Sequence, residues 1–178
     1  TQMIAKGLDF PAVTVVGVVD ADTSLHFPDF RSAERTFQLV AQVAGRAGRG
    51  PAGGRVVVQT RAPDHHALRA AAAHDVEAFA AAELPLRAPP HPSYPPHVGL
   101  VRFVALGSSE AAAAARAGRL AEWLRRANVE RLGEALTVLG PAPCPIPRLH
   151  GRWRWHVLVK ADAPHALGRR MRAWRAQG

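Results

Sequence analysis

"VTVVGVV", Val13 to Val19, is a continuous apolar run of mostly β-branched residues. Such a run reads as a strand covered on both faces, the pattern of a parallel sheet inside an α/β layer. Asp20 and Asp22 follow at its C-terminal end, where sheets of this kind present ligands. The pair suits a lobe-interface or nucleotide-side contact, and it suits ordinary loop capping equally well.

Outward from this strand the first half keeps an alternating strand–helix order. From Ser32 to about Ala47, Phe37, Val40, Ala41 and Ala44 recur at helical spacing and mark one apolar face, with Ser32 as N-cap. Gly48 and "GPAGG" stop that helix. "RVVVQT", Arg55 to Thr60, reads as a second strand, and "APDHHALRAAAAHDVEAFAAAEL" as one long helix capped by Asp64. Six prolines then fall between Leu84 and Pro96, a density that excludes a helix or a central strand. Residues 85–97 therefore read as an extended linker between a domain over 1–84 and another over 98–178.

The second half changes style. Val98 to Leu106 reads as a strand, Ser108 or Ser109 caps a helix to about Asn128, and "EALTVLGP" reads as a strand. "RWRWHVLVK", Arg152 to Lys160, alternates strongly, and a last helix is expected over 164–175. The order β-α-β-β-α is that of a small α+β, ferredoxin-like split βαβ layer lacking its last strand.

Composition narrows the function. Lys and Arg number 23 against 14 Asp and Glu, a net charge of +9 that favours a polyanionic partner, usually nucleic acid. The 48% apolar content supports a true core. Cys144 stands alone, so neither an internal disulfide nor a zinc cluster follows from it. "AVTVVGVV" is too short to span a bilayer, and the opening "TQMIAKG" is neither a signal peptide nor an initiator methionine; it reads as the start of a piece of a longer protein or as a processed start.

The densest chemistry lies in "QVAGRAGRG", Gln42 to Gly50. Gln42, Arg46 and Arg49 stand at i, i+4 and i+7, so a continuing helix would stack three donors on one side. A guanidinium matches phosphate oxygens and stays charged, while Gly45 and Gly48 allow close approach. The set suits charge stabilisation on a transferring phosphoryl group. It also suits arginines capping the dipole at a helix end.

These residues carry a resemblance. "QVAGRAGRG" is similar to motif VI of superfamily-two helicases and "TQMIAKGLDFP" to motif V. With "VDAD", "DFRSAER", "VLGPAP" and "GRWRWHVLVK", the chain from Thr1 to about Met171 resembles the C-terminal part of the bacterial primosomal PriA family of replication-restart DNA helicases. The resemblance implies part of a RecA-like lobe over 1–84. It implies that Thr1 touches the nucleic-acid backbone, with Lys6 near phosphate, and that Gly7 and Asp9 sit beside the nucleotide. Gln42 would approach the γ-phosphate, and Arg46 and Arg49 would complete an ATP site across a lobe interface, Arg49 as the finger. ATP and Mg²⁺ are thus implied through the missing lobe, and zinc in the parent but not in this chain. The implied setting is the bacterial cytoplasm and nucleoid, and the partners are single-stranded and forked DNA, single-stranded-DNA-binding protein and other primosome proteins.

The departures are specific. G-x-x-x-x-G-K-[ST] and an Asp-Glu pair are absent from this sequence, so no ATP hydrolysis is expected of the chain alone. A non-enzymatic DNA-binding or scaffold module is the competing reading. In "GRWRWHVLVK" strand alternation favours burial of Trp153 and Trp155 over base stacking, and leaves Arg152 and Arg154 for DNA or for solvent. His65 and His66, adjacent on a helix, would diverge by about 100° and not share a metal. No G-x-S-x-G nucleophile setting occurs.

Overall fold

The computed structural model describes residues 14–45, 54–89, 93–131 and 136–161. The chain divides into two compact units between Leu86 and Arg87.

In the first unit β1 (Val15–Val18) pairs in parallel with β2 (Arg55–Val58), Val15 opposite Arg55 and Val18 opposite Val58. The expected double coverage of this strand is not found among the described residues. Val15 and Gly17 are exposed, and only the face of Val16 and Val18 is partly covered. Helices pack on one side, where Val18 and Val58 meet a core built from Leu25, Phe37, Val40, Leu68 and Phe79.

A short helix, α1 (Ala21–Leu25), follows β1 directly. Asp20 caps it from a left-handed conformation (φ 53°), accepting from Thr23 N at 3.3 Å and from Thr23 Oγ1 at 2.6 Å. Helix α2 spans Ser32–Ala44. Its N-cap is Arg31, without a side-chain bond, and Ser32 is already helical. Asp29 organises the entry instead, accepting from Arg31 N at 3.0 Å and pairing with Arg35 at 2.9 Å. Phe37 and Val40 are buried as the periodicity predicts, Ala41 and Ala44 are half-buried, and Val43 and Thr36, outside that pattern, are buried as well, the Thr36 hydroxyl 2.8 Å from Ser24 Oγ.

The long Ala-rich helix is two helices, α3 (His66–Ala73) and α4 (Val76–Leu86). His74 adopts φ 54° and ends α3, while Asp75 accepts from Ala78 N at 2.8 Å and starts α4. Asp64 is not the N-cap of α3. His65 holds that position, its Nδ1 accepting from Ala67 N at 3.2 Å. Pro85 lies in the last turn of α4, so the helix runs into the proline-rich stretch. The break folds α4 back, and Phe79 stacks on Phe37 with ring centroids 4.4 Å apart. Buried Glu83 reaches His66 Nε2 at 2.7 Å.

In the second unit β3 (Gly99–Gly107) leads into α5 (Glu110–Arg131), then β4 (Leu136–Leu149) and β5 (Arg152–Ala161). The sheet order is β3-β5-β4, with both neighbours antiparallel to β5. β3 and β4 therefore run parallel with β5 inserted between them. Ser109 caps α5, its Oγ accepting from Ala112 N at 3.2 Å. Ala117, Ala121 and Leu124 of α5 pack on Leu136, Val157, Val159 and Ala161. Strand β4 carries Pro141, Pro143, Pro145 and Pro147, which its position at the rim of the described sheet tolerates. The helix expected over 164–175 lies outside the described residues.

Candidate nucleic-acid interface

The second unit's sheet has two chemically distinct faces. Val101, Phe103 and Ala105 of β3, Val138 of β4, and Trp155, Val157 and Val159 of β5 face α5 and the core. Alternation then places Arg102, Val104 and Leu106, with Arg154, His156, Leu158 and Lys160, on the other face. The three strands carry Arg102, Arg148, Arg152, Arg154 and Lys160 and not one carboxylate.

Pairing on that face is regular. Leu106 stands opposite Arg154, Val104 opposite His156, Arg102 opposite Leu158, and Leu100 opposite Lys160. Each cation faces an apolar neighbour, and none has a carboxylate partner among the described residues. Lys160 Nζ sits 4.0 Å from the Tyr94 ring centroid. Burial pushes its ammonium pKa down from the ordinary lysine value. His156 is likewise lowered, by burial first and by the nearby Arg102 second, and its Nδ1 is enclosed without a hydrogen-bond partner.

The two arginines singled out from sequence behave differently. Arg152 is exposed at the hairpin end opposite Leu149. Arg154 is half-buried, its Nη1 donating to the Ile146 carbonyl at 3.4 Å, so it braces β4 while facing the basic side. Trp155 packs into the core, as alternation predicts, and Trp153 is half-buried with the Arg148 guanidinium 5.8 Å from its ring. Sequence reasoning overlooked Arg102 and Tyr94. The parity of "GLVRFVAL" carries the signal for Arg102, but Tyr94 comes from the proline-rich stretch and meets Lys160 only through the fold.

In the first unit, Gln42 is exposed near the end of α2, and its amide makes no hydrogen bond among the described residues. The helix ends at Ala44 with Gly45 as cap. Arg46, Arg49, Thr1, Lys6, Gly7 and Asp9 lie outside the described residues. Next to the C-terminal ends of β1 and β2 is an open depression of about 980 Å³ lined by Asp20, Asp22, His26, Thr60 and Arg61. Its acids are occupied within the fold. Asp20 caps α1, and Asp22 accepts from Thr60 Oγ1 at 2.6 Å and from Arg61 N at 2.8 Å. The Thr60 hydroxyl and then the Arg61 amide lower the Asp22 pKa. The loop-capping reading thus accounts for both, and they do not form a cation-binding pair.

His65 and His66 do not diverge. Their rings stack at 4.4 Å, because His65 is a cap residue with ψ 130° and helical spacing does not apply to it. One His65 nitrogen and the Nε2 of His66 are taken up by Ala67 N and Glu83. Among the described residues no group of His, Cys, Asp and Glu is arranged to hold a metal, and no helix is long and apolar enough to cross a membrane.

The family profile described as "Primosomal protein N C-terminal domain" matches residues 91–178. The chain is 46% identical over 160 residues to the replication restart protein PriA of Bacillus subtilis, covering 90% of this chain and 19% of that protein. It is 42% identical to the PriA of Synechocystis, covering 90% and 18%, and 45% identical to that of Treponema pallidum, covering 92% and 24%. The chain thus spans about a fifth of the length of the curated relatives it matches. On these matches the chain belongs to the PriA family of replication restart proteins and represents its C-terminal part.

Proposed function

We propose that this chain is the DNA-engaging C-terminal part of an ATP-dependent helicase that acts at stalled replication forks and starts primosome assembly. The observation that carries the reading is the carboxylate-free basic strand set of the second unit, in a chain that matches replication restart proteins over 90% of its length. Cations with no carboxylate partner among the described residues suit phosphate. The strand order β3-β5-β4 supports reading this unit as a ferredoxin-like split βαβ. Single-stranded-DNA-binding protein and other primosome proteins are the proposed protein partners, in the bacterial cytoplasm and nucleoid.

In the first unit Gln42, Arg46 and Arg49 are proposed as one side of an ATP site, with Gly7 and Asp9 beside the nucleotide and Thr1 and Lys6 on nucleic-acid phosphate. The exposed, uncommitted amide of Gln42 fits a nucleotide-side role. Asp20 and Asp22 are consumed within the fold, so any Mg²⁺ would be held by another lobe. Zinc belongs to segments with paired cysteines, since Cys144 is buried and alone. ATP bound across two lobes would supply the phosphoryl transfer that drives unwinding, and the arginines would bind and orient its phosphates.

Two measurements test the reading. Arg152→Ala with Arg154→Ala is expected to weaken single-stranded and forked DNA binding several-fold at low salt. Wild-type affinity that does not change between low and high salt would refute phosphate contact. The 178-residue chain alone is expected to hydrolyse no ATP. Turnover above background that is lost on Arg49→Ala would overturn the shared-site account. In the competing reading the motor residues are relics in a non-enzymatic scaffold; an upstream G-x-x-x-x-G-K-[ST] followed by an acidic pair decides against it.

A further inference from the structure

We propose that single-stranded DNA lies along the sheet face opposite α5, with Arg102, Arg154 and Lys160 on its phosphates and its bases against Val104, Leu106 and Leu139. This rests on the DNA-binding reading above and assigns the face and the contacting residues.

Three observations select this face. First, the cations have no carboxylate partner among the described residues and are regularly spaced. Arg154, His156, Leu158 and Lys160 occupy one side of β5, a row of about 20 Å at strand rise. Arg102 stands across from Leu158, in the middle of that row. Second, apolar side chains lie between the charges and remain open: Val104 is 38%, Leu106 46% and Leu139 39% exposed. A duplex keeps its base faces inside the stack and has no use for such strips, whereas a single strand presents every base face. The shallow sheet also offers no protruding helix or ribbon for a major groove. Third, the alternative side of the unit is unsuited. Helix α5 mixes Glu110 and Glu122 with its arginines, and Arg116 and Arg125 already donate to the carbonyls of Leu106 and Gly140 at 2.7 and 2.6 Å.

Lys160 and His156 sharpen the assignment. The Tyr94 ring holds the Lys160 ammonium at one end of the row, so little side-chain freedom is lost when a phosphate arrives. His156 lies between Val104 and Ala142 at its centre, with an imidazole nitrogen that nothing in the described protein satisfies. Sequence preference should be weak, because contacts are to phosphates and base faces and not to base edges.

The test uses the whole chain and a labelled oligothymidylate, read by fluorescence anisotropy over a salt series. Arg102→Gln with Lys160→Gln should weaken binding at least tenfold and flatten the log–log salt slope by about 1.4, since each phosphate contact on a single strand contributes ~0.7. Arg119→Gln with Arg126→Gln on α5 should change affinity less than twofold. Circular dichroism melts establish that both variants fold. Oligonucleotides carrying 5-iododeoxyuridine provide an independent readout, with photoadducts expected at His156 or Tyr94. Wild-type affinity in the sheet-face variant, or adducts at the exposed Trp123 of α5 instead, would overturn the placement while leaving DNA binding intact. A wild-type chain that binds no oligothymidylate, or whose sheet face prefers an acidic phenylalanine-bearing peptide, would sink the proposal; the first of these would sink the DNA reading with it.

Discussion

Two glycines of the second unit should respond to alanine with opposite signs. Gly107 ends β3 opposite Trp153, just before the chain turns into α5. A Cβ on Gly107 would stand 2.5 Å from Ala113 N, 2.8 Å from Ser109 O and 2.9 Å from Ala113 Cα. All three are backbone atoms, so no side-chain rotation relieves the overlap; the strand end or the first turn of α5 must move. Gly107 is not in the left-handed region, so alanine would otherwise gain about 0.4–1 kcal/mol by restricting the unfolded chain. Overpacking costs about 1–3 kcal/mol, and an immovable neighbour places this site near the upper end. The net expectation is a loss of about 2 kcal/mol, which at ~4–8 °C per kcal/mol lowers Tm by roughly 10–15 °C. Gly118 lies within α5 with nothing inside 4 Å of its would-be Cβ. There alanine should add about 0.8–1 kcal/mol through helix propensity and raise Tm by ~4–8 °C. Tryptophan fluorescence is the suitable probe, because Trp123, Trp153, Trp155 and Trp174 all fall in the second unit. A Gly107→Ala chain that melts at or above the wild type would refute the packing argument.

Two pH predictions follow from the shifted groups. The His156 pKa is lowered from its ordinary 6.5, so the folded state holds fewer protons than the unfolded one. Its stability contribution is complete above about pH 6.5 and is lost as pH falls toward the folded pKa. Phosphates on the same face favour the protonated ring, so affinity for single-stranded DNA should rise as pH drops through that range; an equal rise in His156→Gln would count against the residue. Asp22 is lowered from 3.8 by Thr60 and Arg61, so its contribution is present above that value and disappears as acid carries the pH below it. Thr60→Val should shift the acid melting midpoint upward, and an unchanged acid transition would refute the assignment.

Legibility followed the range of the forces involved. The alternation of Trp155, Val157 and Val159 is a local pattern, and it identified the buried side of β5 directly. So did the spacing of Phe37 and Val40 on α2. The break at His74 was hidden because nothing local forbids a helix through "AAAAHDVEAF". What ends α3 is the gain from folding α4 back so that Phe79 meets Phe37, a tertiary contact. The strand read at "EALTVLGP" runs on through "GPAPCPIPRL" as β4, because a rim strand tolerates missing N–H groups. At the candidate interface, the face carrying Arg154 and Lys160 was legible from the alternation of "RWRWHVLVK". The Tyr94–Lys160 contact joins segments far apart in sequence and could not be read from either.

The arrangement on the open face sets cations opposite apolar residues instead of carboxylates. A sheet built only for stability would set carboxylates opposite its cations, since opposite charges across a ladder contribute about 0.2–1 kcal/mol per pair. Here leucine stands opposite Arg102, Arg154 and Lys160 in turn. That pattern avoids direct cation–cation opposition, which would destabilise the ladder, and it equally avoids internal neutralisation. Burial lowers the Lys160 pKa, and burial followed by the charge of Arg102 lowers that of His156, so both groups lack a nearby anion that would favour protonation. In the proposed complex a phosphate would supply that anion without a protein carboxylate having to be displaced first. Carboxylates placed in the Leu106 and Leu158 positions would strengthen the isolated sheet and compete with DNA for Arg154 and Arg102. The apolar choice keeps the cations available, so in the proposed complex with DNA the stability forgone in the free protein would reappear as affinity.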